Sequence, residues 1–227
     1  GVVSSFKVSD AGILVVNAQQ GVEVGTEIFV RYAEEHKKPL VVAINQLDAE
    51  KANYENTVET LKQSFGKKIA LIQFPVATGA GFDSLVDVLR MKLYTFKDEN
   101  GTRVESEIPE NLMDQTNELR AALVEVAAES TEELMEKYFA DGELCFDDMI
   151  KGLNTGFLQG SIMPTFCLSA KKDIGVKRLM EFVINVAPSP ADRSERSIEG
   201  NEIPCDVNGP TTIFIYNLFR NTDLSKI

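Results

Sequence analysis

The stretch VVAINQLD, residues 41–48, decides the fold of this chain. Four apolar residues run directly into Asn45, Gln46, Leu47 and Asp48. An uninterrupted apolar run of this kind is typical of a strand that is buried on both faces of a parallel sheet. In open α/β sheets, ligands bind beyond the carboxyl ends of the strands. We therefore expect Asn45 and Asp48 to face a ligand.

Two further apolar runs extend this pattern along the chain. Strands are predicted over residues 13–18, 40–45 and 163–168, and helical spacing of apolar residues follows each of them. Gly66 fits the end of the second helix. Strands that alternate with helices predict an α/β fold with three parallel strands and right-handed crossovers. In the last helix, five side chains are expected to face the sheet: Val176, Leu179, Met180, Val183 and Ile184.

A long segment with a different pattern, residues 69–160, separates the second and third strands. Its first part is strand-rich and ends in a predicted hairpin with a turn at Asn100-Gly101. Apolar stripes then predict a helical tract from Glu110 to Phe139 and a further helix over CFDDMIKGLNTGFLQG. The segment is therefore predicted to be an inserted α+β subdomain. Residues 191–227 are predicted to hold a linker and then a lone strand over 211–216.

The composition excludes several classes of protein. The chain has 227 residues, 44% of them hydrophobic, which suffices for one large domain or two small ones. A net charge of −12 argues against indiscriminate nucleic-acid binding, because phosphates would be repelled by most of the surface, while a local basic patch stays open. We expect no sequence-specific DNA partner. No apolar run of about 20 residues is present, so we expect no membrane span.

The cysteines and the single histidine do not indicate a disulfide framework, a metal site or a catalytic role. Cys145, Cys167 and Cys205 are far apart and odd in number. This argues against a disulfide framework and for a reducing, cytoplasmic setting. No CxxC or His/Cys cluster suggests a metal. His36 lies in the charged segment EEHKK, where a solvated surface role is expected.

The residue types at the strand ends suit a guanine base. A carboxylate accepts two parallel N–H donors, and guanine offers two adjacent N–H groups, so Asp48 could accept both and reject adenine. Asn45 could reach the other side of the base or tie loops together. The third strand ends in LSAKKDIGV, which would place Ser169 and Ala170 beside these side chains. The Ala170 N–H could then meet the guanine carbonyl, and Ser169 could hold Asp48 in place.

These two segments carry a resemblance to a known family. NQLD, residues 45–48, resembles the NKxD base-specificity motif of GTPases, and SAK, residues 169–171, resembles their last motif. Longer stretches are similar to translational GTPases of the elongation factor G type: VVNAQQGVEVGTE, IPENLMDQTNELRAALVEVAAESTEELMEKYF and GSIMPTFCLSAKKDIGVKRLMEFVINVAPSP. The wide separation of the two base motifs fits the subdomain that this family inserts in its GTPase domain.

The resemblance implies both an organisation and a function. Residues 1–68 and 161–190 would be parts of the GTPase core, 69–160 the inserted subdomain, and 191–227 a linker with the start of a β-barrel. The full-length protein would bind GTP or GDP and couple hydrolysis to translocation on the ribosome, with Mg²⁺ held by residues outside this chain. The implied nucleotide-binding residues are Asn45, Gln46, Asp48, Ser169, Ala170 and Lys171, and none is implied as catalytic or as a metal ligand.

Departures from the family pattern leave a second function open. The family's phosphate side, from the GxxxxGK[ST] loop through the switch regions, is not matched in this sequence. We therefore expect a GTPase fragment that begins within a gene product and is inactive alone. Gln46 stands where the family has Lys, and NLFRNTDLSKI at the end does not continue the family's barrel. The alternative is a diverged, non-catalytic paralogue that binds the ribosome or another protein. NQLD could also be a simple turn at a strand end.

Two surfaces are expected to form contacts. Residues 13–16 would be an apolar sheet edge, and such edges promote association, so we expect the isolated chain to form a dimer or an aggregate. The helical tract is expected to display an acidic face of Glu129, Glu132, Glu133 and Glu136 to a protein partner on the ribosome. A merely solvated helix is the alternative for these four residues.

Overall fold

The structure is a computed structural model that describes residues 2–97, 102–192, 195–197, 199–206, 208–209, 211, 213 and 215. The turn predicted at Asn100-Gly101 lies outside the described residues. Half of the strand predicted over 211–216 (residues 212, 214 and 216) and all of the tail from residue 217 lie outside them as well.

Helices and strands alternate up to residue 65, and a run of strands and then a run of helices follow before the last strand and helix of the parallel-sheet core. The helices are α1 (Val2–Val8), α2 (Val24–Glu35), α3 (Tyr54–Phe65), α4 (Glu110–Ala128), α5 (Glu132–Asp141), α6 (Phe146–Gln159) and α7 (Val176–Val186). The strands are β1 (Gly12–Asn17), β2 (Leu40–Asn45), β3 (Ile69–Leu71), β4 (Gln73–Pro75), β5 (Ser84–Asp87), β6 (Lys92–Phe96), β7 (Arg103–Ser106), β8 (Met163–Cys167), β9 (Glu195–Arg196) and β10 (Glu202–Ile203). Short 3₁₀ turns lie at Gly66–Lys68, Gly79–Gly81 and Pro190–Asp192.

A parallel sheet with the strand order β1-β2-β8-β3 forms the base of the fold. The three predicted strands are confirmed, and their ends differ from the prediction by at most one residue. The sheet has four strands rather than the expected three, because β3 pairs in parallel with β8. The sequence predicted that the start of the inserted segment is strand-rich, but a strand pattern does not show which sheet a strand joins, so Ile69–Leu71 was assigned to the inserted segment.

Burial along the sheet follows the position of each strand. The central strand β2 is buried from Leu40 to Ile44, as the uninterrupted apolar run predicted. Strand β1 lies at an edge of the sheet, and its side chains alternate between buried and exposed. Ile13 is 43% exposed and Val15 is 59% exposed. One face of this edge strand is therefore apolar and open to solvent.

The inserted segment contributes a second sheet, which is antiparallel with the order β4-β5-β6-β7. The predicted hairpin is present as β6 and β7, with Phe96 opposite Arg103. The predicted helical tract is broken into α4 and α5. Thr131 starts the second helix because its hydroxyl accepts a hydrogen bond from the Leu134 N–H at 3.3 Å, which caps the new helix. One apolar core includes residues of both sheets.

Helix α7 is rotated relative to the sequence prediction. Met180 and Ile184, which were expected to face the sheet, are 46% and 76% exposed. The buried side carries Arg178, Leu179 and Phe182 instead. A buried charged residue interrupts the apolar pattern from which the buried face of a helix is predicted. Arg178 is buried because it forms an ion pair with an acidic side chain.

The acidic face predicted on α4 and α5 is at the surface. Glu129, Glu132, Glu133 and Glu136 are all exposed. Glu133 forms ion pairs with Lys137 and Lys151, and Glu129 lies 3.6 Å from Lys67. Two of the four charges are therefore partly neutralised by neighbouring lysines. Among the described residues, no helix has the length and apolar character needed to cross a membrane.

Candidate functional site

Two loops meet at the carboxyl ends of β2 and β8. The strands are adjacent and parallel, with Ile44 opposite Cys167. The Leu168 N–H donates to the Ile44 carbonyl at 2.9 Å, which extends the pairing one residue beyond the strand. The loop of residues 45–48, here called the first base loop, therefore starts beside the loop of residues 169–174, the second base loop.

A direct hydrogen bond joins the two base loops. The Ala170 N–H donates to Asn45 Oδ1 at 3.0 Å, across 125 positions of sequence. Of the two roles expected for Asn45, this contact matches the one that ties loops together. It also occupies the N–H group that was expected to meet a guanine carbonyl. For both contacts to form, the Ala170 N–H would have to be shared between two acceptors, or the Asn45 side-chain amide would have to move.

The first base loop turns sharply after β2. Gln46 has a φ of 64°, in the left-handed region that is uncommon for a residue other than glycine, and its side chain is exposed. Leu47 is 0% exposed, so this residue holds the loop against the apolar core. Asp48 follows directly and is half-buried. Within the described part of the chain, its carboxylate forms no hydrogen bond or ion pair, so both oxygens are available as acceptors.

The second base loop is closed by its own hydrogen bonds. The backbones of Ser169 and Ile174 exchange two hydrogen bonds, at 3.0 and 3.1 Å. The buried Ser169 hydroxyl accepts a hydrogen bond from the Lys172 N–H at 3.3 Å. Ala170 and Lys171 are exposed at the tip of the loop. Ser169 thus shapes its own loop here, and the predicted role in holding Asp48 stays a prediction.

All of the predicted nucleotide-binding residues lie at this one edge of the sheet. The first base loop carries Asn45, Gln46 and Asp48, and the second carries Ser169, Ala170 and Lys171. An amide, an unengaged carboxylate and exposed backbone in this arrangement can recognise a planar group that presents adjacent N–H donors. Their contacts with a nucleotide remain predictions.

Sequence reasoning missed one residue that contacts the first base loop. The Gly79 N–H donates to the Leu47 carbonyl at 2.8 Å. Gly79 is buried, has a φ of 75°, and begins a 3₁₀ turn in the inserted segment. The glycine-rich stretch TGAG, residues 78–81, predicts a tight turn but not the element that the turn contacts.

Magnesium is expected at the phosphates of a nucleotide and not at its base. Mg²⁺ in nucleotide sites is bound through carboxylates and phosphate oxygens. The part of the chain that the structure describes contains no group of three or more His, Cys, Asp or Glu side chains able to bind a metal. An amide beside a carboxylate suits the edge of a nucleotide base, and this assignment stays a prediction.

Comparisons with known proteins identify the family to which this chain belongs. Residues 1–189 match the family model of the elongation factor Tu GTP binding domain. An elongation factor G-like protein of Thermotoga maritima is 35% identical over 192 residues, which cover 84% of this chain and 27% of that protein. The chain therefore spans about a quarter of the length of this curated relative.

A solved structure supports the same assignment. A crystal structure of a protein from Thermus thermophilus matches with a TM-score of 0.76 and 29% identity, covering 84% of this chain and 28% of that one. The family match extends over both base loops and the inserted segment between them. This chain belongs to the family of the elongation factor Tu GTP-binding domain, and it resembles elongation factor G-like members in particular.

Proposed function

We propose that the two base loops bind the guanine base of GTP or GDP. The observation that carries the proposal is the hydrogen bond between Ala170 and Asn45, which sets the loops side by side. Among the residues that the structure describes, the Asp48 carboxylate beside them has no partner. Asp48 would accept the ring N–H and the exocyclic N–H of guanine. Gln46 would lie along the face of the base, and Lys171 would flank it from the second loop.

The full-length protein is proposed to be a translational GTPase of the elongation factor G type. It would hydrolyse GTP, with Mg²⁺ at the phosphates, and couple hydrolysis to translocation on the ribosome in the cytoplasm. Family membership and the name of the Thermotoga relative support this proposal. No residue of this chain is proposed as catalytic, because the base side of the nucleotide does not take part in the reaction at the phosphates.

The organisation proposed for the chain follows the same family. Residues 1–68 and 161–190 would form the GTPase core, and 191–227 would lead into a following domain. Residues 69–160 would be the inserted subdomain, with β3 as its connection to the parallel sheet. The exposed acidic face, led by Glu132 and Glu136, is proposed to contact a ribosomal protein.

A nucleotide-selectivity experiment on the full-length protein tests the base assignment. Asp48→Asn is expected to shift binding from GDP toward xanthosine diphosphate, because xanthine carries a carbonyl where guanine carries its exocyclic amine and an amide can donate to that carbonyl. The measurement is the ratio of the two dissociation constants in competition binding. Glu50→Gln, an exposed change two residues away, is the matched control. An unchanged ratio for Asp48→Asn would remove Asp48 from the site.

The second candidate is a non-catalytic paralogue that binds the ribosome or a protein. Gln46 favours it, because a neutral and shorter side chain replaces the family's Lys. Under this alternative, the full-length protein would bind neither GDP nor GTP, and the same competition experiment would detect no binding.

A further inference from the structure

The turn between β4 and β5 contacts the first base loop through a backbone hydrogen bond. The Gly79 N–H donates to the Leu47 carbonyl at 2.8 Å, and the Leu47 N–H points at the Leu168 carbonyl at 3.5 Å. The backbone of Leu47 is thus held between the inserted segment on one side and the end of β8 on the other. Asp48 is the next residue, so these contacts fix the position of the backbone from which its carboxylate extends.

This turn is a rigid part of the inserted antiparallel sheet. The Phe82 N–H donates to the Gly79 carbonyl at 3.0 Å, and the Phe82 side chain is 1% exposed. The Val76 N–H donates to the Ser84 carbonyl at 3.1 Å, which continues the β4–β5 pairing up to the turn. A shift of the inserted sheet would therefore move Gly79 and pull on the first base loop.

We propose that Gly79 is a positioning residue for guanine recognition, through which the inserted segment controls the placement of Asp48. The inference rests on the proposed function of the two base loops. Gly79 touches no part of the nucleotide in this scheme and acts only through the Leu47 carbonyl. The placement of the inserted sheet and the selectivity for guanine are therefore coupled.

The geometry at Gly79 allows a clean substitution. A Cβ added there would lie 3.7 Å from the Ala49 carbonyl oxygen, which is an ordinary contact, so alanine fits the space. Its φ of 75° is unfavourable for alanine. Gly79→Ala therefore disturbs the backbone of the turn without filling the site.

The test compares GDP with inosine diphosphate in the full-length protein. Inosine lacks the exocyclic amine, so the ratio of the two affinities reports the contact that Asp48 makes. Gly79→Ala is expected to reduce this ratio about five-fold, the size expected when the hydrogen bond between Asp48 and the exocyclic amine is weakened. Gly142→Ala is the matched control, because Gly142 also has a φ of 75° and its added Cβ meets nothing within 4 Å. It should lower the thermal midpoint and leave the ratio unchanged.

A second control and a second measurement distinguish failure of the inference from failure of the proposed function. Gly81→Ala changes the same turn without a positive φ and should keep the wild-type ratio. In the wild-type protein, amide hydrogen exchange over residues 76–82 is expected to slow when GDP is added. A wild-type ratio in Gly79→Ala, or exchange that does not respond to GDP, overturns the inference while the function stands. A wild-type protein that binds GDP and inosine diphosphate equally overturns the proposed function itself.

Discussion

Arg178 Nε lies 2.8 Å from Asp87 Oδ2, and these side chains are 9% and 0% exposed. The pair joins α7 of the parallel-sheet core to β5 of the inserted sheet. The second oxygen of Asp87 accepts a hydrogen bond from the Arg90 N–H at 2.9 Å, so both carboxylate oxygens are satisfied. Because α7 follows the second base loop directly, this buried ion pair also fixes the helix that anchors that loop.

Removing one charge of this pair is expected to destabilise the fold strongly. Asp87→Ala leaves the Arg178 guanidinium buried without its partner, which typically costs about 3–5 kcal/mol. The free energy of unfolding, measured by urea titration, gives the cost. Replacing both residues, with Asp87→Leu and Arg178→Met, should recover much of the loss because no unpaired charge remains. Equal stability of Asp87→Ala and the wild type would contradict the assigned pairing.

The contact between α5 and α6 is expected to weaken in acid. Hydrogen bonds, from Lys151 first and then Lys137, lower the pKa of Glu133, while Cys145 and then Lys137 lower the pKa of Asp148. A lowered pKa stabilises the folded state at pH values above the unfolded-state pKa of about 4, and this contribution is lost as the pH falls further. Both carboxylates therefore contribute at neutral pH.

The variant Lys137→Met tests this dependence, because Lys137 lies 3.2 Å from Asp148 and 3.4 Å from Glu133. The wild type should be slightly more stable than Lys137→Met at neutral pH, and the difference should vanish at about pH 2, where both carboxylates are protonated. Thermal midpoints across this range measure it. Lys62→Met, a change of the same type away from this contact, should show no such pH dependence. A difference that stays constant down to about pH 2 would exclude these ion pairs as its cause.

Gln46→Lys is expected to tighten GTP and GDP to the same extent in the full-length protein. The side chain is exposed at the turn of the first base loop, where a longer stem can lie along the face of the base. It is remote from the phosphates under the proposed function, so the ratio of the two affinities should not change. Equilibrium binding of both nucleotides measures this. A change for GTP alone would place Gln46 near the phosphates and contradict the proposed orientation.

The isolated chain is expected to self-associate through the edge strand β1. Ile13 and Val15 expose apolar side chains on a strand at the edge of the parallel sheet, and such edges pair readily with another chain. Light scattering at rising concentration should show dimers or larger species. Val15→Lys should reduce association because a charge on an edge strand opposes pairing. Val24→Lys, at a residue that is 74% exposed outside the sheet, is the control. A monomer at high concentration would exclude this role for the edge.

The sequence by itself determined three of the four strands of the parallel sheet and the end of the sheet at which the two base loops lie. The run from Val41 to Ile44 predicted a central strand because a strand that is buried on both faces is apolar at every position. The polar residues that follow this strand, and those that follow Leu168, predicted where the two base loops meet. The carboxyl ends of parallel strands lie at the same end of the sheet. The predicted cap at Gly66 is confirmed by its φ of 61°.

Only the tertiary structure decided which distant residues meet. The pattern of α7 placed Met180 and Ile184 inward, but the buried pair of Arg178 with Asp87 rotates the helix and exposes them. Strand β3 joins the parallel sheet because it pairs with β8, a partner that the strand-rich pattern of its own segment does not identify. The hydrogen bond from the Gly79 N–H to the Leu47 carbonyl also depends on how segments that are distant in sequence pack together. Hydrophobic periodicity encodes which face of a local element is buried, whereas a hydrogen bond or ion pair between distant positions depends on how those elements pack.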